Sequence, residues 1–142
     1  MKTVEQVLED KGHAVLSVGP DGSVYDAVKL MSDADVGALL VLEGDQLVGI
    51  FSERDYARKV ILFGKSSRET LVRAVMTEKL VCVRPTTTIN ECMAIMTEKR
   101  IRHLPVLDGS HVVGVISIGD AVKETIADQQ MTIEQLKSYI MR

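Results

Sequence analysis

The 142-residue sequence holds no tryptophan, three tyrosines, two phenylalanines, three prolines and two cysteines. Without interleaved aromatic and basic side chains there is no stacking platform for a single-stranded nucleic acid. Charge of one sign is also missing. Seventeen Lys and Arg against twenty Asp and Glu leave a formal net charge of −3, which argues against a surface devoted to phosphate backbones. Nucleic acid is therefore not an expected partner, although Lys99–His103 with Arg54, Arg58 and Lys59 could form a local patch. The longest apolar run lies near residues 37–42, far short of the ~20 residues of a membrane span. The opening MKTVEQVLEDKG is polar and lacks the apolar segment of a signal peptide. Cys82 and Cys92 form no C-x-x-C motif, a usage that fits a reducing compartment, so a cytoplasmic location is expected. His13, His103 and His111 show no metal-ligand spacing.

What is present is a globular composition, 46% hydrophobic and 26% charged, in a length suited to one ordinary domain or two very small ones. The core must come from Val, Leu, Ile, Met and Ala. Shifting the sequence against itself by 65 positions aligns residues 15–61 with 80–126 without a gap. Identical pairs include Val18/Val83, Pro20/Pro85, Met31/Met96, Val41/Val106, Gly49/Gly114, Ser52/Ser117 and Asp55/Asp120. The chain is a tandem duplication.

Each copy has the same periodicities. A short β-branched run, Val15–Val18 or Val81–Val83, ends at Pro20 or Pro85. A helix follows with apolar residues at Val24, Ala27, Val28 and Met31, or Ile89, Met93, Ile95 and Met96. Two apolar strands then flank a tight turn at Gly44-Asp45 or Asp108-Gly109, and a second helix begins at Glu53 or Ile118. The expected fold is α/β (α+β): two β-α-β-β-α units, each short of core alone, packed about a pseudo-twofold axis. The expected division is 1–64 for an N-terminal helix and the first unit, 65–75 for a linker, and 76–142 for the second unit and a C-terminal helix. Thr3-x-x-Gln6 and Thr132-x-x-Gln135 resemble capping boxes, with Val4, Val7, Leu8 and Ile133, Leu136, Ile140 expected to face inward.

The sharpest repeated signature is Gly-apolar-apolar-Ser-x-x-Asp, GIFSERD at 49–55 and GVISIGD at 114–120. It admits two readings. Ser-x-x-Asp at a strand-to-helix junction is close to a capping box, with Ser as N-cap and the carboxylate at N3. The same parts suit a nucleotide: a hydroxyl and free N–H groups at a helix start meet a phosphate, a carboxylate one turn in accepts a ribose diol, and the glycine admits a ligand close to the backbone.

The duplicated unit, the RHLPVLDG stretch at 102–109, the opening VMTEKLVCVRP at 75–85 and the two Ser-x-x-Asp motifs resemble the CBS domain, over about residues 11–127. The resemblance implies a stand-alone tandem pair, or Bateman module, with two clefts that take adenosine ligands. In that family the motif Asp holds the ribose and the motif Ser or Thr assists. Carried over, these are Asp55 with Ser52, and Asp120 with Ser117. Each cleft would be completed by the other repeat: Met76, Thr77, Lys79, Val81, Ile101, Arg102 and His103 for Asp55; Lys11, Ala14, Leu16, Val36, Gly37 and Ala38 for Asp120.

Charge distinguishes the two expected clefts. Arg54, Arg102 and His103 fall near Asp55, where Gly119, Gly37 and Ala38 occupy the matching positions near Asp120. Because Arg presents a permanently charged fork to phosphate, the Asp55 cleft is expected to take the more anionic group; the basic cluster also fits a solvated helix end. No nucleophile–base order or P-loop is present, so no enzyme is expected. Cys82 and Cys92 read as structural thiols, and Met31, Met93 and Met96 as packing. The expectation is a non-catalytic regulatory module binding AMP, ADP, ATP, NAD or S-adenosylmethionine, AMP foremost, without a metal. The resemblance implies a homodimer and leaves room for an unidentified protein target. The alternative is a structural protein-interaction module with no nucleotide.

Overall fold

A computed structural model describes residues 2–141. The elements run α1 (Val4–Lys11), β1 (Ser17–Val18), α2 (Val24–Ala34), β2 (Ala38–Glu43), β3 (Gln46–Ser52), α3 (Glu53–Asp55), α4 (Val72–Val75), α5 (Ile89–Lys99), β4 (His103–Asp108), β5 (His111–Ser117) and α6 (Ile118–Ile140), with a π-helical stretch at Tyr56–Ile61 continuing α3. The mixed α+β architecture expected from the periodicities is present in both repeats. The chain divides into two compact units, Val15–Val81 and a second that joins the segment up to Ala14 with the chain from Cys82 onward.

Spatial membership therefore departs from chain order. α1 lies in the same unit as the second repeat, and the stretch read as a linker at 65–75 belongs with the first. Backbone hydrogen bonds show why. Val4 and Glu5 N–H donate to the carbonyls of Thr87 and Pro85, and Val72 and Arg73 N–H donate to those of Gly22 and Pro20. Each turn before a repeat's first helix thus satisfies the start of a helix that arrives from elsewhere in the chain, whose first N–H groups have no partner of their own. Val4, Val7 and Leu8 are buried in one unit, and Val72, Val75 and Met76 in the other.

The hairpins are near copies. β2 pairs antiparallel with β3 from Ala38–Ser52 to Glu43–Gln46, with a bulge between Val41 and Leu42. β4 pairs with β5 from His103–Ser117 to Asp108–His111, with the bulge between Val106 and Leu107. Gly44 and Gly109 carry left-handed φ of 62° and 64°, the glycine position of a two-residue primed turn. α2 and α5 start under Ser23 and Thr88, whose hydroxyls accept from the N–H groups of Asp26 and Glu91. They bury Val24, Ala27, Met31 and Ile89, Cys92, Met96 respectively.

Two sequence expectations change. The first strand is Ser17–Val18, parallel to β2, and its counterpart shrinks to one bridge, Val83 with Val106. The reason is Pro105: the equivalent Leu40 N–H donates to the Leu16 carbonyl at 3.2 Å, and proline has no N–H to repeat that bond. The C-terminal segment is no separate capped helix. α6 is continuous through Thr132, whose hydroxyl donates to the Asp128 carbonyl one turn earlier. Ile133, Leu136 and Ile140 are 44%, 56% and 76% exposed rather than inward.

Candidate functional site

Both Ser-x-x-Asp motifs sit where a strand turns into a helix. Ser52 is extended at the end of β3, and its Oγ accepts from Asp55 N–H while Asp55 Oδ2 accepts from Ser52 N–H at 3.0 Å. Ser117 and Asp120 repeat the reciprocal bonds, with Ser117 N–H to Asp120 Oδ2 at 2.8 Å. The capping reading is realised at both junctions. Glu53 N–H donates to the Gly37 carbonyl and Ile118 N–H to the Arg102 carbonyl, so the starts of β2 and β4 lie beside the junctions of their own units.

The glycines of the motif serve packing. A Cβ on Gly49 would lie 2.6 Å from Met76 Sδ, and one on Gly114 would lie 2.6 Å from Leu8 Cδ2. The expected close approach of a ligand to these backbones is therefore corrected: each incoming helix has already filled the space with a buried side chain.

Beyond the shared cap, the carboxylates live in different surroundings. Asp55 is buried, 7% exposed. Its Oδ1 accepts from Thr77 Oγ1 and from Lys59 Nζ, both at 3.0 Å, and Ser52 Oγ donates to Oδ2. Lys59 also donates to the Val75 carbonyl and to Thr77 Oγ1, which closes a ring of polar contacts. Thr77 is fixed there by two backbone bonds with Ile50. Met76 and Thr77 thus reach the first junction from within the same unit. Lys59 went unnoticed as a site residue, although the Asp-x-x-x-Lys spacing along a helix was the available signal.

At the second junction, Lys11 Nζ donates to Asp120 Oδ2 at 2.7 Å and to the Val115 carbonyl at 2.9 Å. Lys11 is thereby brought to Asp120. Burial alone would raise the Asp120 pKa; the Lys11 ion pair and the Ser117 backbone bond outweigh it and hold the carboxyl below its ordinary value. His103, paired with Ser117 across β4 and β5, is half-buried; burial and the Arg102 charge lower its pKa, and Asp120 opposes them. Its imidazole is neutral at pH 7. His13 meets the Val113 carbonyl at 3.0 Å. Glu124, which occupies the position of Lys59 in the second repeat, reaches Lys2 with Oε1 at 3.4 Å and leaves Oε2 buried without a partner among the described residues.

The remaining expected positions are distributed over the elements as follows. Val36, Gly37 and Ala38 enter β2, and Ile101, Arg102 and His103 enter β4. Arg54 and Gly119 are exposed in the first turns of α3 and α6, and Ala14, Leu16 and Lys79 are exposed in connecting segments, where Val81 is half-buried. Burial pushes the Cys92 thiol up to about 11 and raises Cys82 as well, so both are protonated and unreactive at neutral pH.

A family model described as "CBS domain" matches residues 5–61 and 72–126. The CBS domain-containing protein CBSX3, mitochondrial, of Arabidopsis thaliana is 42% identical over 147 residues, covering 97% of this chain and 71% of that protein. A solved structure of a putative signal-transduction protein with CBS domains from Burkholderia ambifaria is 53% identical with a TM-score of 0.86, covering 90% of this chain and 96% of that one. The CBS domain pair of protein MJ0100, solved with 5′-methylthioadenosine and S-adenosyl-L-methionine, is 18% identical with a TM-score of 0.79, covering 90% and 98%, and shares the fold. The repeated hairpins, the paired Ser-x-x-Asp junctions and the two matched segments make this chain a member of the CBS-domain family, with two CBS domains in tandem.

Proposed function

We propose that the protein is a non-catalytic regulatory module that binds an adenosine-containing ligand at its Ser-x-x-Asp junctions and answers by a change of conformation or assembly. The observation that carries this reading is the state of Asp120. Its bonds to Ser117 N–H and Lys11 both fall on Oδ2, which fixes the carboxylate and keeps Oδ1 for a ligand hydroxyl. A ribose diol is a pair of donors suited to that oxygen. The adenosine ligands in the MJ0100 structure support the ligand class, and AMP is the first candidate, with ADP, ATP, NAD and S-adenosylmethionine behind it. Allosteric coupling between a ligand and a conformation is typically ~1–3 kcal/mol.

The Asp55 junction favours a second reading in its own unit, that of a structural cap, because Thr77 and Lys59 already occupy Oδ1. A ligand there would displace Lys59 from the carboxylate, and the freed ammonium would then meet an anionic group. That keeps the proposal that the Asp55 side takes the more anionic ligand, with Arg54 of the same helical turn as a further expected contact. The module is proposed to act as a homodimer, in the cytoplasm. Both thiols are free, in keeping with a reducing compartment, and no helix among the described residues is long and apolar enough to cross a membrane.

Thermal stabilisation tests the reading with AMP, ADP, ATP, NAD, S-adenosylmethionine, 5′-methylthioadenosine and GMP. A ligand at 100 times its dissociation constant stabilises by about 2.7 kcal/mol. A shift with adenosine compounds and none with GMP is expected, and Asp120→Asn should remove it. No shift with any compound, after bound ligand has been excluded by mass spectrometry, would leave the motifs as caps.

A further inference from the structure

α6 is 23 residues long, yet its only buried residue is Ala121, close to its start. Every residue from Ile126 to Met141 is exposed. An unpacked helix of about this length is marginal in water, because most helical stability comes from burying an apolar face. The face is there. Val122, Ile126, Gln129, Ile133, Leu136 and Ile140 follow each other at alternating spacings of four and three, the a/d seam of a heptad repeat with Ile126, Ile133 and Ile140 at a and Val122, Gln129 and Leu136 at d. Its apolar members are 41% to 76% exposed.

We propose that this seam is a docking surface for a second copy of the same chain, joined to it as a parallel two-stranded coiled coil along α6. Isoleucine at every a position, with Leu136 at d in the last heptad, matches the core chemistry of parallel pairs, where β-branched residues at a and leucine at d favour two strands. Charge selects the same arrangement. The flanking e positions are Lys123, Gln130 and Lys137, and the g positions are Thr125, Thr132 and Tyr139. A parallel pair sets g against e of its partner, so Thr132 faces a lysine and no like charges meet. An antiparallel pair sets e against e and brings Lys123 against Lys137 twice. Gln129 puts one polar layer at a d position in mid-seam, which costs stability. The seam is short, but its nucleus is already formed: Ser117 caps α6 and Ala121 anchors it.

The inference rests on the homodimer reading and names its surface. Sedimentation velocity of the full chain tests it over a range of concentrations. The double variant Ile133→Glu/Leu136→Glu should weaken self-association at least ~100-fold with an unchanged melting transition of the folded units. Gln129→Leu should tighten it. A Leu136→Cys variant should cross-link to itself under an oxidant that leaves the wild type unlinked. A dimer that survives the double variant overturns the α6 surface but leaves the homodimer. A wild type that stays monomeric overturns both. Dimer loss in the double variant without cross-linking of Leu136→Cys overturns the parallel orientation.

Discussion

The two units solve the same problem with different arms. In each, a helix from elsewhere in the chain starts on the turn before α2 or α5 and drops a side chain into the glycine of the motif. Leu8 does this in one unit and Met76 in the other, behind the buried pairs Val4, Val7 and Val72, Val75, positions 68 apart although the repeat itself is offset by 65. Beyond Leu8 the chain stays helical to Lys11, which delivers an ammonium to Asp120. Beyond Met76 it becomes extended, bonds to β3 through Ile50, and delivers the Thr77 hydroxyl to Asp55. The countercharge for Asp55 then comes from its own helix, Lys59, where the other repeat has Glu124. A three-residue difference in an arm thus turns one duplicated carboxylate into an enclosed cap and the other into a half-open acceptor.

Removing the carboxylates breaks that comparison most sharply. Asp55→Ala strips the acceptor from Ser52 N–H, Thr77 and Lys59 in a buried place, so a loss of ~3 kcal/mol is expected. Asp120→Ala loses a cap and a partly exposed ion pair, for ~1.5 kcal/mol. Urea unfolding midpoints of the two variants check the order. Equal losses would mean that the enclosure of Asp55 contributes nothing.

Much of this was legible in the sequence and some of it was not. The 65-residue repeat exposed both hairpins, because apolar alternation and turn glycines are local signals. Ser-x-x-Asp could be read as a cap for the same reason. The family resemblance implies Lys11 only as a lining residue of the Asp120 cleft, and its ion pair with Asp120 was not legible, since no local pattern links residues so far apart. The role of Gly49 and Gly114 was misjudged because the side chains that fill their space, Met76 and Leu8, arrive from outside the motif. The outward seam of α6 was misread as an inward face, since periodicity gives a stripe and not the surface that covers it.

Filling the glycines tests the arms themselves. Overpacking in a tight core costs ~1–3 kcal/mol, and Gly49→Ala should lie at the upper end and Gly114→Ala at the lower. The added Cβ at 49 meets the Thr77 backbone oxygen at 3.1 Å as well as Met76, whereas at 114 its three nearest atoms all belong to the Leu8 side chain. Calorimetric melting of both variants gives the comparison, and a reversed order would show that Leu8 is the less movable of the two.

Acid separates the units by a smaller amount. Asp120 has its pKa lowered by folding, so its contribution is present above about pH 4 and is lost as pH falls through the folded value. His103 is also lowered; its neutral form is favoured, so stability is full above about pH 6.5 and declines below it. His103→Gln should therefore flatten the fall in melting temperature between pH 7 and 5. An unchanged slope would remove His103 as its source.

The exchange of Lys59 for Glu124 offers the finest comparison. Lys59 donates to Asp55, Thr77 and the Val75 carbonyl, so Lys59→Gln loses an ion pair that is partly exposed, a matter of ~0.5–1 kcal/mol. Glu124 has one oxygen with a long contact to Lys2 and another buried without a partner among the described residues. A buried charged oxygen without a donor is costly, and an amide carries less of that cost. Glu124→Gln should therefore change stability by no more than ~0.5 kcal/mol, with the gain or loss set by whether the relief at Oε2 outweighs the weakened contact at Oε1. The same chemical edit, charge to amide at the same helical position, is thus expected to weaken one unit and leave the other nearly untouched. Parallel unfolding curves of the two variants measure it, and a Glu124→Gln loss as large as that of Lys59→Gln would show that Lys2 holds the second arm as firmly as Lys59 holds the first.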